Sequence, residues 1–461
     1  MPMFPKVLIA NRGEIACRII RACRALGIRA VAVHSTADAD AMHVALADEA
    51  VCIGPAPAHE SYLDAAALIR AARETGAAAI HPGYGFLAES SGFAAQVAEA
   101  GLAWIGPAPE TIAAMGDKSR ARAIAAEVGV PVLPGSPAVD PGDPAGLAAA
   151  AEAVGYPLLV KAASGGGGIG MRVVETPERL AEVVGATASM AAKSFGDGTV
   201  FLERYVGRAR HVEVQVFGWG DGHAVHLGDR DCSLQRRFQK VVEEAPAPDL
   251  PEATRQRIRE TAVALAASVR YAGAGTVEFV YDVESGEAFF LEMNTRIQVE
   301  HPVTEMVTGV DLVGWQIRQA AGMLPPVAQE EIRLAGHAVE VRLCAERPEK
   351  NFLPAPGSIA TLDWPEPAEG LRVDTGVRAG DAISPHYDSL VAKVIVQGPD
   401  RAAALARLAA ALDRVEIGGI ATNLAFLRRV VDAPELVEAR MTTGSLLEIR
   451  ERERAAERGA A

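Results

Sequence analysis

No stretch of about 18 consecutive apolar residues occurs in the sequence, so no membrane-spanning helix is expected. No long block of Lys or Arg occurs either, and the net charge is −14. That balance argues against nucleic acid or an anionic membrane as the main partner. No C-x-x-C pair is present. The five cysteines, Cys17, Cys23, Cys52, Cys232 and Cys344, are odd in number and scattered. They read as free thiols of a reducing compartment, the cytoplasm. The N-terminus MPMFPKVLIANRG lacks the layout of a signal peptide. No G-x-x-x-x-G-K-[ST] occurs, which excludes a P-loop. The first expected strand is not followed by G-x-G-x-x-G, so a dinucleotide role has no support.

What is present is an ordinary globular composition: 461 residues, 49% hydrophobic and 23% charged, enough for sizeable cores. At about 150 residues per domain, two to four domains are expected. An acidic chain of this kind can still take an anionic substrate, provided it builds a local basic pocket.

KVLIA (6–10), AVAVH (30–34), VCIG (51–54) and AAAIHPG (77–83) read as strands alternating with helices GEIACRIIRACRALG and SYLDAAALIRAARETG. This alternation predicts a doubly wound parallel sheet in an α/β domain over residues 1–112. PVLPGSPAVDPGDP (131–144) reads as a Pro/Gly-rich domain-edge loop. An α+β unit follows, in which strands PLLVKAA and MRVVE flank a run of four glycines. Residues 210–300 hold the strands HVEVQVFG, AVHLGDRDC, GTVEFVYD and AFFLEMNT. After LPP (324–326), short alternating strands predict a small β-rich C-terminal domain, 326–447. The charged tail, 448–461, is expected to fray.

The glycine run KAASGGGGIGM suits a flexible hairpin tip or a phosphate cover. Strand flanks and Lys161 favour the second, because glycine lets backbone N–H groups converge on an anion. GTVEFVYD and AFFLEMN are joined by the turn-like VESGE. A hairpin centred on Ser285 puts Glu278 opposite Glu292 and turns Asn294 to the same face. Two opposed carboxylates call for a cation, and oxygen ligands suit Mg²⁺ or Mn²⁺. NTRIQVEHPVTE offers Arg296 as an anion holder and Glu300 as a general base. RDCSLQRRFQKVVEEAPAP is dense in charge that suits surface salt bridging for the most part, and it offers Lys240 as one candidate for holding a second anion. Together these features describe ATP- and metal-dependent phosphoryl transfer to a small anionic acceptor.

The motifs IANRGEIACRIIRA, HPGYGFLAES, MGDK, KAASGGGGIGM, RHVEVQV, RDCSLQRRFQKVVEEAPAP, EMNTRIQVEHPVTE, GHAVEVRLCAE and PHYDSLVAK span nearly the whole chain. In them the sequence resembles the biotin carboxylases, the ATP-grasp component of biotin-dependent carboxylases. The resemblance implies an ATP-grasp domain over 113–325, with a mobile glycine-loop lid within about 132–206. It implies carboxylation of biotin on a separate biotin carboxyl carrier protein, with ATP, Mg²⁺ (or Mn²⁺) and bicarbonate. Lys118, Lys161, Gly165, Gly166, Gly167 and Gly168 would meet the ATP phosphates. Glu203, Arg204, Tyr205 and Val206 would form the adenine hinge. His211, Gln235 and Phe238 would lie near the nucleotide. Glu278, Glu292 and Asn294 would hold the metal. Lys240, Arg296 and the Val299 backbone would take bicarbonate, Glu300 would be the base, and Arg342 would face biotin.

Some positions depart from the family. Ile169 stands where many members carry Arg or Lys, and Phe238 where well-known bacterial members have His. Ala25 replaces a Glu of the bacterial dimer contact, which puts that contact of an expected homodimer in doubt. No M-K-M biotinylation motif and no carboxyltransferase-sized region occur, so the chain is expected to act as a subunit beside a carboxyltransferase.

Overall fold

The computed structural model describes residues 3–163, 170–236 and 239–459. Gly165, Gly166, Gly167, Gly168, Ile169 and Phe238 lie outside the described residues. The first domain is built on five strands: β1 Lys6–Ile9, β2 Arg29–Ser35, β3 Glu49–Gly54, β4 Ala79–His81 and β5 Ala103–Trp104. They run parallel in the order β3-β2-β1-β4-β5. β1 shows why both faces are covered. Val7 and Ile9 pack against Ile15, Ile19 and Cys23 of helix Gly13–Ala25. Leu8, on the other face, packs with Leu68, Phe93 and Val97 of helices Ala65–Thr75 and Ser91–Glu99. Period two in the strand and 3.6 in the helices make this the doubly wound arrangement that the alternation predicts.

The next unit is a four-stranded antiparallel sheet, ordered β6-β9-β7-β8, from β6 Gly135–Val139, β7 Leu158–Ala162, β8 Met171–Val174 and β9 Val200–Arg204. β7 and β8 pair with Lys161 opposite Met171, so the glycine run joins two strands of one hairpin. β6 corrects the expectation of a loop over 131–144. Pro137 falls in an irregular part of its register, at the sheet edge, where a missing N–H costs no ladder bond.

The largest sheet has eight strands. They are β10 Ala209–Trp219, β11 Ala224–Arg236, β12 Gln239–Ala245, β13 Ala272–Asp282, β14 Ala288–Asn294, β15 His337–Cys344, Leu371–Thr375 and Leu390–Gly398. The order is β14-β13-β10-β11-β12-β15, then 390–398, then 371–375, with every pair antiparallel. The sheet therefore runs without a break across the Pro-containing segment near residue 325. Helix Arg401–Asp413 covers its C-terminal part through Leu405, Leu408 and Leu412. The tail does not fray as expected. Residues Ser445–Gly459 are helical, and Glu435–Arg452 and Arg429–Glu453 ion pairs of 2.6 Å tie them to the preceding helices. All five cysteines are unpaired, and four of them are buried.

Among the described residues, no helix is long and apolar enough to cross a membrane.

Glu346, fully buried, is joined to Arg236 at the end of β11. Burial pushes its carboxyl up to about 7 against the pull of Arg236. A carboxyl raised in this way keeps a proton in the folded state that the unfolded chain has lost. Stability then falls as pH rises from the unfolded value of 4.5 to about 7. The full window corresponds to on the order of 3 kcal/mol. Glu346→Gln is expected to flatten this slope in denaturant titrations between those limits; an unchanged slope would remove the assignment.

Candidate active site

The site grows from one cross-strand row. Glu213 on β10 lies opposite Arg230 on β11 and opposite Glu278 on β13, and Glu278 lies opposite Glu292 on β14. Directly opposed residues share a face, so one cation and three carboxyls project together. The Glu278–Glu292 opposition is the one that the hairpin reading predicts. Two residues along, Gln215, Thr276 and Asn294 form a second row. Arg230 is fully buried and ties the rows together. It donates to Glu213 (2.5 Å), Gln215 (2.7 Å), Thr276 (3.1 Å), Gln298 (2.6 Å) and Thr304 (2.9 Å).

Lys240 reaches into this face from β12. Its ammonium donates to Glu213 at 2.5 Å, Glu278 at 2.8 Å and Glu300 at 2.6 Å. Burial alone would strip its proton, but three carboxylates hold its pKa well above the usual value. Burial would raise Glu300, yet Lys240, with Arg342 and Arg230, brings it down to about 2. Glu213 and Glu278 are lowered in the same way, chiefly by Lys240 against burial. Two trios of possible metal-ligating side chains, His211–Glu213–Glu278 and Glu213–Cys232–Glu300, also come together here. In both, Lys240 already neutralises the carboxylates.

The loop after β14 closes over the row. Arg296 is held at three points: Nε to Glu89 (2.9 Å), Nη2 to Asn294 Oδ1 (2.8 Å) and Nη1 to the Ile297 carbonyl (3.2 Å). Gln298 donates to Glu278 at 2.7 Å. Glu300, next to helix His301–Thr308, accepts from Lys240 through Oε1 and from Arg342 Nη2, at 3.0 Å, through Oε2. Arg342 also donates from Nε to the buried Glu243 at 2.6 Å. Lys240, Arg296, Glu300 and Arg342 therefore converge, although they come from three separate stretches of sequence. The Val299 carbonyl accepts from Lys393 at 2.7 Å.

Of the metal candidates, Glu292 and Asn294 sit on the edge strand β14, and Glu278 on β13 beside it. Burial and neighbouring Glu278 raise the Glu292 carboxyl, and Lys118 pulls the other way. The buried Nδ2 of Asn294 has no hydrogen-bond partner. Two opposed carboxyls and an amide oxygen, with the Glu292 carboxyl raised by burial and by Glu278, fit a hard divalent ion.

His211 Nδ1 lies 2.9 Å from Gln235 Nε2, and its Nε2 is 3.1 Å from Glu278. Burial would lower the ring, but Glu278 raises it to about 9. Lys161 and Arg122 both pair with the buried carboxylate of Glu203, so a candidate phosphate lysine and the hinge are in contact. The Arg204 guanidinium instead turns to the Val154 carbonyl at 3.2 Å. The backbone N–H groups of Arg204 and Tyr205 are used by Pro134 and Pro157, and Val206 follows them half-buried. Any part Arg204 plays at the hinge is therefore through its backbone.

Arg230, Glu213, Gln298, Glu243 and Glu89 are site residues that sequence reasoning did not single out. The two-residue alternation of HVEVQV, which puts Glu213 and Gln215 on one face, was the available signal.

Three family models match in succession: "Biotin carboxylase, N-terminal domain" over residues 3–112, "Carbamoyl-phosphate synthase L chain, ATP binding domain" over 117–326, and "Biotin carboxylase C-terminal domain" over 340–448. The chain is 53% identical to the biotin carboxylase of Pseudomonas aeruginosa over 91% of its own length and 93% of that protein. It is 50% identical to the mitochondrial methylcrotonoyl-CoA carboxylase subunit alpha of Glycine max, covering 93% of this chain but only 58% of that one. Among solved structures, the biotin carboxylase domain dimer of Hydrogenobacter thermophilus 2-oxoglutarate carboxylase, with MgADP, ADP and bicarbonate, superposes with a TM-score of 0.92 at 45% identity. It covers 97% of this chain and 98% of that one. With these matches and the convergent Lys240–Arg296–Glu300–Arg342 site, the chain belongs to the biotin carboxylase family.

Proposed function

We propose that this chain carboxylates biotin borne on a separate carrier protein, using ATP, a divalent metal and bicarbonate, by way of carboxyphosphate. The observation that carries this reading is the grip of Lys240 and Arg342 on the two oxygens of Glu300, beside Arg296. Arg296 and Lys240, with the Val299 N–H, hold bicarbonate. Glu300 accepts its proton as a bicarbonate oxygen attacks the γ-phosphorus of ATP and ADP leaves. A carboxylate held near 2 is ionised at neutral pH but weakly basic. An anion bound beside Lys240 offsets part of that cation's pull and strengthens the base. Lys118 and Lys161 spread phosphate charge; for Lys161 this requires exchanging Glu203 for the nucleotide. Carboxyphosphate then breaks to CO₂ and phosphate. Phosphate takes the N1 proton of biotin, and N1 bonds to CO₂. Arg342 donates to the ureido oxygen as negative charge builds there.

Glu278, Glu292 and Asn294 would hold Mg²⁺ or Mn²⁺, which supplies charge neutralisation at the transferring phosphates. Glu292→Gln is expected to raise the Mg²⁺ concentration for half-maximal activity about tenfold; an unchanged metal titration would sink this ligand set.

In this reading residues 1–112, 113–325 and 326–447 serve as N-terminal, ATP-grasp and C-terminal domains. The chain works in the cytoplasm as a homodimer, beside a biotin carboxyl carrier protein and a carboxyltransferase that acts on an acyl-CoA or a urea-type acceptor. Incubation with ATP, Mg²⁺, radiolabelled bicarbonate and free biotin tests the reaction. ATP-dependent, acid-labile label on biotin is expected. Bicarbonate-dependent ATP cleavage without such label would favour a ligase that activates a different carboxylate.

A further inference from the structure

Lys393 is a lysine with no exposed surface, in the middle of strand Leu390–Gly398. A buried ammonium is costly unless its hydrogens find partners. Its Nζ donates to the Val299 carbonyl at 2.7 Å and lies 3.1 Å from Glu14 Oε1 and 3.9 Å from Asp374 Oδ2. Glu14 stands in the first turn of helix Gly13–Ala25, where the helix end favours an acid, and also accepts from Tyr84 Oη. Three parts of the chain thus meet at one cation: the first helix, the C-terminal strands and the loop before helix His301–Thr308. The approach is close. A Cβ on Gly376, just past strand Leu371–Thr375, would lie 2.4 Å from the Glu14 nitrogen.

The register gives this junction a direction. Lys393 is the direct cross-strand neighbour of Arg342, so both side chains leave the same face of the sheet. Arg342 holds the carboxylate of Glu300, and Lys393 holds the carbonyl of the residue before it. Two adjacent cations therefore grip consecutive residues of one loop. The Val299 carbonyl belongs to the planar peptide that joins Val299 to Glu300, so fixing it fixes the entry of the backbone into Glu300. On the other side of Val299, the Gln298 carbonyl lies 2.7 Å from the His301 ring.

We infer that Lys393 is a positioning residue for bicarbonate: it fixes the Val299–Glu300 peptide while His301 holds the preceding peptide that carries the Val299 N–H, so that this N–H and the Glu300 carboxylate face one bound anion. Lys393 itself does not touch the substrate; it acts through the loop. The inference rests on the reading of residues 296–300 as the bicarbonate site. A displaced loop of this kind costs turnover steeply, since a misplacement of about 1 Å can cost about 100-fold.

The test compares Lys393→Met with Lys393→Gln in the full chain, with ADP affinity as the check on folding. Both remove the charge, but only Gln keeps a hydrogen-bond donor. Lys393→Met is expected to raise KM for bicarbonate at least tenfold while KM for ATP stays within twofold. Lys393→Gln should fall clearly between Met and the unaltered chain. Equal bicarbonate KM in the two variants would overturn the inference, as would a parallel rise in KM for ATP. Loss of ADP binding in both would also overturn it, because the lysine would then serve only folding. Arg296→Ala, run alongside, separates two failures. If Arg296→Ala leaves the response to bicarbonate unchanged, the site reading fails. If Arg296→Ala alters that response and Lys393→Met does not, only the role of Lys393 fails.

Discussion

Arg296→Ala is expected to lower bicarbonate-dependent ATP cleavage and biotin carboxylation by about 10²–10³-fold, with KM for ATP changed less than threefold. The guanidinium is held by Glu89, Asn294 and the Ile297 carbonyl, so its plane is set before any substrate arrives. A preset donor of this kind costs no reorganisation as charge moves from bicarbonate toward phosphate. Alanine removes the anion holder and leaves Lys240 and Glu300 in place. Because Arg296 also donates to Asn294, a small shift in the metal requirement should accompany the loss. A collapse of ATP affinity would instead put Arg296 at the nucleotide.

Lys240→Met should have the largest effect on stability. Glu213, Glu278 and Glu300 share this one ammonium, and all three are buried. Removing one partner of a buried ion pair costs about 3–5 kcal/mol, because the remaining charge is left uncompensated. The loss should depend on pH. These carboxylates are lowered in the folded chain, so their contribution is present above the unfolded value of 4.5 and fades as pH falls through the folded values. Denaturant midpoints of the variant and the unaltered chain should differ most near neutral pH and converge in acid. A difference independent of pH would mean that Lys240 stabilises by packing alone. Turnover should be lost as well, since in the proposed reaction the same group holds bicarbonate.

The sequence was most informative where neighbours in space are neighbours along the chain. Glu278 and Glu292 are joined by a short turn, and a hairpin centred on Ser285 places them opposite each other; the structure reaches that pairing through a one-residue register shift between Glu278 and Phe279. Arg230 and Glu243 were not legible in the same way. Arg230 meets Glu278's strand only because β10 lies between β11 and β13, an order that no local pattern carries. Glu243 matters through Arg342, almost a hundred residues away along the chain. The continuous sheet was hidden for a related reason. LPP near residue 325 signals a break in local structure, yet β12 on one side pairs with β15 on the other. The C-terminal helix replaces the frayed tail that its charges suggest because Glu435 and Arg429, on earlier helices, pair with Arg452 and Glu453.

The most direct test of the account is the rate of bicarbonate-dependent ATP cleavage by the purified chain, with and without free biotin. The account predicts clear stimulation by biotin, abolished by Arg296→Ala and absent without Mg²⁺. ATP cleavage that needs bicarbonate but ignores biotin, with no label passed to biotin or to a carrier protein, would contradict it.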